Sequence, residues 1–189
     1  MNFRTTGYFR VATVQKESEI LALVEAVAAL KPAVIVEIGT ANGGTCFLWA
    51  NLASKKVISC DLKHSELSRN FYSAFPPPDS TCEVTLLTGD SHQQAMKDRL
   101  LRELDGERID FLFIDGDHTE LGVERDYHMY RDFVRPDGLI AFHDIVEKQP
   151  LASNQVYHFW KRLREKTDTK EFIDDADQCG FGIGIVRHG

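Results

Sequence analysis

Apolar positions along this chain repeat in two rhythms. Ile20, Leu23, Val24, Val27 and Leu30 recur at helical spacing, and Pro32 stops that helix. Val34-Ile35-Val36-Glu37-Ile38 follows, a short and almost wholly apolar run of the kind that a strand buried on both faces needs. Runs of the same kind return at Val57–Cys60, Val84–Leu87, Phe111–Ile114 and Leu139–Phe142. Between them the helical rhythm comes back, over Gln93–Leu104 and over Thr119–Val134, the latter with Val123, Tyr127, Tyr130 and Val134 on one stripe. Val156, Phe159, Trp160 and Leu163 mark a further helix, and two closing strands are expected around Phe172-Ile173 and along Phe181–Val186. So little chain separates that last pair that a crossover helix has no room, and the final strand is expected to run antiparallel. The alternation predicts an α/β fold in three layers, a mostly parallel sheet of seven strands with helices on both faces. Pro76, Pro77 and Pro78 can neither continue a helix nor join a central strand, so the flexible connection is expected there.

Each of the first five strands ends in polar residues. The first carries Glu37 and runs into Gly39-Thr40-Ala41-Asn42-Gly43-Gly44. The second ends at Asp61, the third at Gly89-Asp90, the fourth at Asp115-Gly116-Asp117-His118 and the fifth at His143-Asp144. Ligands of open α/β sheets bind beyond the carboxyl ends of the strands, where strand order reverses. One acidic strand end is an ordinary turn; five on one edge predict a site. The glycines permit positive φ and close backbone approach. Asp61 stands roughly 20 residues further on, where a carboxylate can accept both hydroxyls of a ribose. Together they indicate a nucleoside-containing cofactor. The dinucleotide pattern G-x-G-x-x-G is broken at its middle glycine by Ala41, and the lysine of a P-loop is absent.

Composition narrows the class. At 189 residues the chain suits one domain, and 43% hydrophobic with 27% charged residues is ordinary for a globular protein. A formal net charge of -7 argues against a nucleic-acid partner. No apolar run reaches the roughly 18 residues of a membrane span, and the first ten residues carry no apolar stretch of a signal peptide. Cys46, Cys60, Cys82 and Cys179 lack metal-ligand spacing and are expected as free thiols in a reducing cytoplasm.

These residues resemble the class I S-adenosylmethionine-dependent methyltransferases. Glu37 through Thr45 is similar to that family's first motif. Ile114-Asp115-Gly116-Asp117-His118 with Gly122-Val123 and Asp126, and Pro136-Asp137-Gly138 leading to Phe142-His143-Asp144, most resemble its metal-dependent O-methyltransferases of sugars and other hydroxylated natural products and, more distantly, the catechol type. The resemblance spans Glu17 to Val186. It implies a Rossmann-like fold and a single methyltransferase-like domain over 1–189. Residues 1–16, with Phe3, Tyr8, Phe9 and Arg10, would form a lid or a flexible segment. It implies a cofactor site of Glu37, Gly39, Thr40, Ala41, Gly43, Thr45, Asp61, Asp90, Ser91 and Asp115: the glycine loop on the methionine part, Asp61 on the ribose, Asp90 and Ser91 at the adenine. Asp115, His143 and Asp144 would bind a divalent metal, magnesium or manganese, and His118 would be the general base. His143 stands where relatives usually have a carboxylate. Imidazole suits manganese, iron or zinc better than magnesium.

The implied acceptor is a hydroxylated small molecule, with no membrane and no nucleic acid, and a second copy of the chain is left open as a partner. Two rival readings stay open: a nicotinamide-dependent oxidoreductase, and a metallohydrolase using Asp115, His143 and Asp144. Asp115, Asp117 and Asp144 could also simply cap helices. His92 could approach the cofactor or sit as a solvated turn residue, and Trp49 and Trp160 are expected in the core or an interface.

Overall fold

A computed structural model describes residues 2–4 and 10–189. Strands β1 (Asn2–Arg4) and β2 (Arg10–Ala12) form a small antiparallel pair ahead of the main body. Helix α1 (Glu17–Leu30) follows, closed by Lys31 in the left-handed conformation before Pro32. Then come β3 (Val34–Ile38), α2 (Gly44–Ala50), β4 (Lys56–Asp61), α3 (Glu66–Tyr72), β5 (Glu83–Thr88), α4 (Gln94–Leu104) and β6 (Ile109–Ile114). The chain closes with α5 (Glu120–Tyr130), β7 (Val134–His143), α6 (Val156–Arg164), β8 (Thr169–Phe172) and β9 (Ile183–Arg187). The three prolines fall in the irregular connection between α3 and β5.

The seven main strands lie in the order β5-β4-β3-β6-β7-β9-β8. All neighbours are parallel except β9, which runs antiparallel to both β7 and β8. All five residues of β3 are buried, as a central strand covered on both faces requires. Alternate residues feed two cores. Val34, Val36, Ile38, Leu112 and Ile114 pack with α4, α5 and α6, while Ile35, Phe111 and Phe113 pack with α1 and α2. Trp49 and Trp160 are fully buried, one in each core.

The structure moves three boundaries. The helix expected to reach Val134 ends at Tyr130. A 3-10 turn over Arg131–Phe133 follows, and Val134 opens β7. The stripe itself is real, since Val123, Tyr127, Tyr130 and Val134 share one core; the backbone changes under it. The closing strands start and end a few residues from their expected places, and β9 begins only at Ile183 because Phe181 and Gly182 take positive φ and turn the chain before it.

Strand order reverses between β3 and β6, so the ends of those strands form the crevice. The closeness of that crevice is set by Gly39, at φ +99°: a Cβ there would lie 2.1 Å from the Asp115 carbonyl oxygen. Ala12 makes a parallel bridge to Gly43, which brings the segment before α1 across the top of the glycine loop. Among the described residues no helix is long and apolar enough to cross a membrane. Tyr8 and Phe9, expected with Phe3 and Arg10 in a lid, lie outside the described residues.

Candidate active site

The first half of the site is the loop after β3 and the acids beneath it. Asp61 Oδ2 accepts hydrogen bonds from the backbone N–H groups of Thr40 and Ala41, both at 2.9 Å, and Oδ1 accepts from Lys63 N. Ala41 is held at φ +43°, a left-handed conformation that a side chain resists. The loop's glycines make room for protein as much as for ligand. A Cβ on Gly43 would strike the Tyr72 ring, and one on Gly44 would lie 2.3 Å from the Ala12 backbone.

Glu37, expected among the cofactor contacts, lines neither cavity of the site and lies below the loop. It is wholly buried, accepting from Trp49 Nε1 at 2.9 Å and from Ser59 Oγ. Burial pushes its carboxyl up to about 7, against hydrogen bonds from Ser59, Thr45 and Trp49 that pull it down. Ser59 Oγ meets Thr40 Oγ1 at 2.6 Å, and His64 joins Thr40 to Thr88, 3.0 Å from each hydroxyl. Sequence reading passed over His64, for a single histidine in a polar turn has no pattern to mark it.

Asp90 and Ser91 follow β5 and line the larger cavity. Asp90 accepts from His92 N at 2.8 Å and from Gln93 Nε2. His92 is not a solvated turn residue. Its Nε2 lies 3.3 Å from Asp126, which is fully buried, and 3.1 Å from the Gly122 carbonyl. That carboxylate raises the His92 pKa.

The second half lies at the ends of β6 and β7. Asp115 Oδ1 accepts from His118 Nε2 and is 3.2 Å from both that atom and His143 Nδ1, and its Oδ2 accepts from Gln15 Nε2 at 2.8 Å. Asp144, at φ +64°, accepts from Phe181 N at 3.1 Å and from Asn154 Nδ2 at 2.6 Å. His118 Nδ1 and His143 Nδ1 are each 3.5 Å from Asp144 oxygens. Burial alone would raise the Asp115 carboxyl, but His143 and His118 reverse this and hold it at about 2. Burial alone would lower His143, but Asp115 and Asp144 raise it to about 9. None of the three acids caps a helix: Thr119 caps α5, its Oγ1 accepting from Gly122 N, and Asp117 makes the turn before it. Asp117 Oδ1 accepts from Thr119 N, while Asp115 and Asp144 face the histidines.

Ligand atoms of Asp115, His118 and Asp144 lie within 4.8 Å of one another. Two carboxylates and an imidazole are a donor set that fits a divalent transition ion. Asp115 and Asp144 were expected as metal ligands and His118 as the general base; His143, the other expected ligand, turns Nδ1 onto the same two carboxylates.

Two cavities open at this edge. The larger, about 740 Å³, runs past Asp61, Asp90 and Ser91. The smaller, about 310 Å³, lies between the segment before α1 and the stretches around Gln149 and Phe181, and Thr40 and Thr45 line it. Gly39, Ala41, Asp115 and His118 line both. Gln15, Gln149, Asn154 and Phe181 were missed from sequence, since neutral amides and a single ring in loops carry no periodic signal.

A family model described as a methyltransferase domain matches residues 36–145. No curated protein matches the chain. Among solved structures, the O-methyltransferase TomG from Streptomyces achromogenes, involved in tomaymycin synthesis and solved with S-adenosylmethionine, is 15% identical. The match covers 95% of this chain and 82% of TomG, at a TM-score of 0.66. MycE of the mycinamycin pathway, solved with magnesium, S-adenosylhomocysteine and mycinamycin VI, is 15% identical over 89% of this chain and 49% of MycE, at 0.64. An rRNA methylase from Streptococcus thermophilus is 13% identical over 94% of this chain and 100% of its own, at 0.62. At such identities these neighbours show a common fold.

Proposed function

The chain belongs to the methyltransferase domain family, and from that premise we propose that it moves the methyl group of S-adenosylmethionine onto a hydroxyl oxygen of a small molecule. One observation carries the reading: an acid and a histidine, Asp115 and His118, line both cavities and so stand at their boundary. The larger cavity, with Asp61 and Asp90 on its wall, suits a nucleoside. The smaller, at about 310 Å³, suits a small acceptor beside the methionine end.

The acceptor oxygen attacks the methyl carbon, the carbon–sulfur bond breaks, and the sulfonium becomes a neutral thioether. The hydroxyl proton goes to His118. Asp115 accepts from Nε2 and fixes that tautomer, which leaves Nδ1 to take the proton. Asp115 first, and Asp144 with it, raise the affinity of this ring for a proton. Asp115 and Asp144 would hold a divalent ion, which when bound makes a nearby hydroxyl more acidic.

Thermal unfolding with added nucleosides tests the first step. S-adenosylhomocysteine at a hundredfold excess over its Kd should add roughly 2.7 kcal/mol of stability. Stabilisation by a nicotinamide dinucleotide alone would return the oxidoreductase reading. His118→Ala should cut kcat by roughly 10²- to 10⁴-fold with the nucleoside shift intact. A chelator should abolish turnover and added manganese or zinc restore it; full turnover in chelator would leave the two carboxylates acting through the histidines alone.

A further inference from the structure

Four residues of α5 hold the turn that follows β5. An N–H of the Arg125 guanidinium donates to the His92 carbonyl at 2.9 Å, and Tyr130 Oη donates to the Ser91 carbonyl. His92 Nε2 lies 3.1 Å from the Gly122 carbonyl oxygen and 3.3 Å from Asp126 Oδ1. Gly122, Arg125, Asp126 and Tyr130 fall on one face of the helix. Asp126 is wholly buried, and neither of its oxygens has a hydrogen-bond partner among the described residues. A carboxylate sealed from water needs a counter-charge, and His92 is the basic side chain in ion-pair contact with it.

Both neighbours of Nε2 are acceptors, so Nε2 carries a hydrogen whether the ring is neutral or charged. Nδ1 is then the atom that changes, bare in the neutral ring and an N–H in the charged one. It has no hydrogen-bond partner among the described residues, yet it is not one of the sealed unpaired atoms, so it keeps access to solvent. Asp90 Oδ1 is 3.9 Å away, beyond hydrogen-bond reach. The ring lines the larger cavity beside Asp90 and Ser91. A donor and an acceptor thus stand side by side at that wall once the ring is charged. Adenine offers the complement, an amino group that donates next to ring nitrogens that accept.

The charged groups around the ring favour its cation. From α5 it meets Asp126, and from its own turn Asp90, while Arg125 is spent on the backbone carbonyl. Tyr130 is turned to Ser91, and Asp61 and Asp117 line the same cavity. Asp126 first, and Asp90 after it, raise the proton affinity of His92 against the opposing effect of burial. The Nδ1 donor is therefore present below that raised pKa and is lost as pH climbs through it.

We propose that the Asp126–His92 ion pair supplies the larger cavity with a charged donor, Nδ1–H of His92, for a ring nitrogen of the cofactor's adenine. This rests on the methyl-transfer reading above and adds to it the residue that reads the base. His92 touches the base, and Asp126 is a positioning residue that acts through it. Nucleoside binding is then linked to a proton held far from the reacting atoms, on the helix that follows Asp115 and His118.

Calorimetry tests this with S-adenosylhomocysteine and with its analogues in which N1, N3 or N7 of the base is replaced by CH. In mild acid one analogue should bind the wild type about tenfold more weakly than the parent, the loss of one charge-assisted hydrogen bond. His92→Leu should bind that analogue and the parent alike. Affinity of the wild type for the parent should fall about tenfold as pH rises through the pKa of His92. His118 lines the same cavity and titrates as well, so the decisive reading is Asp126→Asn. That variant should move the fall to lower pH and regain wild-type affinity in acid, which a merely structural role for the pair would not produce. A fall that stays in place in Asp126→Asn would overturn the proposal, as would His92→Leu that still tells the analogues apart. Equal binding of all three analogues by the wild type would overturn it without any variant having to fold. Failure of the wild type to bind S-adenosylhomocysteine at any pH would instead remove the methyl-transfer reading, and this one with it.

Discussion

At the ends of β3 and β4 the acids are held by uncharged donors, whereas at the ends of β6 and β7 they also face imidazoles. Glu37 meets an indole and a hydroxyl, and Asp61 meets backbone amides. Asp115 meets two histidines. The two carboxyls therefore shift in opposite directions: Glu37, wholly buried, rises to about 7, and Asp115, partly buried between imidazoles, falls to about 2. Neutral hydrogen bonds do not repay the desolvation of a carboxylate, and a nearby cation does. One half of the edge thus supports a loop, and the other gathers the acids and imidazoles that the proposed proton transfer would use.

The hardest blow to that contrast is Asp115→Asn. It removes the partner of both histidines at almost unchanged volume. We expect kcat to fall by roughly 10⁴-fold, the upper end for loss of acid–base function, while S-adenosylhomocysteine still stabilises the fold. Glu37→Gln should leave turnover within a few-fold. Similar losses in the two variants would mean that both acids serve the chemistry and that the division between the halves is wrong.

Stability against pH gives the next largest effect. The folded pKa of Glu37 is raised from 4.5 to about 7, so its stabilising contribution is complete below 4.5 and is lost as pH rises to 7. The loss amounts to about 3 kcal/mol for this buried group. Asp115 has the opposite sign. Its folded pKa lies below 3.8, so its contribution is present above 3.8 and disappears as pH falls to about 2. Glu37→Gln is neutral at every pH. Urea unfolding at pH 4.5, 6 and 8 should show the variant gaining on the wild type step by step up to pH 7. A constant difference between them would mean that Glu37 stays charged throughout.

What the sequence revealed follows the same division. Strands β3, β4, β6 and β7 were legible because burial on both faces makes their central runs almost wholly apolar, and Asp61, Asp115 and Asp144 were legible because they follow those runs. Asp115, His118 and Asp144 came together where strand order reverses, as the motif spacing implied. His143, expected as the third ligand, instead turns Nδ1 onto the carboxylates of Asp115 and Asp144, at 3.2 and 3.5 Å. Helices α2 and α3, seven residues each, are too short to display a period. Gln15 reaches Asp115 across 100 positions of chain, on a segment held by the bridge from Ala12 to Gly43 and by Lys16 on Asp174 and Gln178.

The smallest effect we expect is at Ala41, and it sharpens the view of the first half as a support for the loop. At φ +43° a side chain costs roughly 1–2 kcal/mol, and Ala41 bears that cost while its N–H is held by Asp61. Glycine would remove the strain but would lose more entropy on folding, roughly 0.5–1 kcal/mol. Ala41→Gly should therefore stabilise the protein by no more than about 1.5 kcal/mol, at about 2–4 °C in Tm per kcal/mol for a chain of this size. If Asp61 is what holds the loop, nucleoside affinity should change less than threefold, because both amide bonds to its carboxylate survive the substitution. A tenfold loss of affinity without loss of stability would instead show that the strained alanine itself sets the loop for the ligand, and the support would then be the strain rather than the acid.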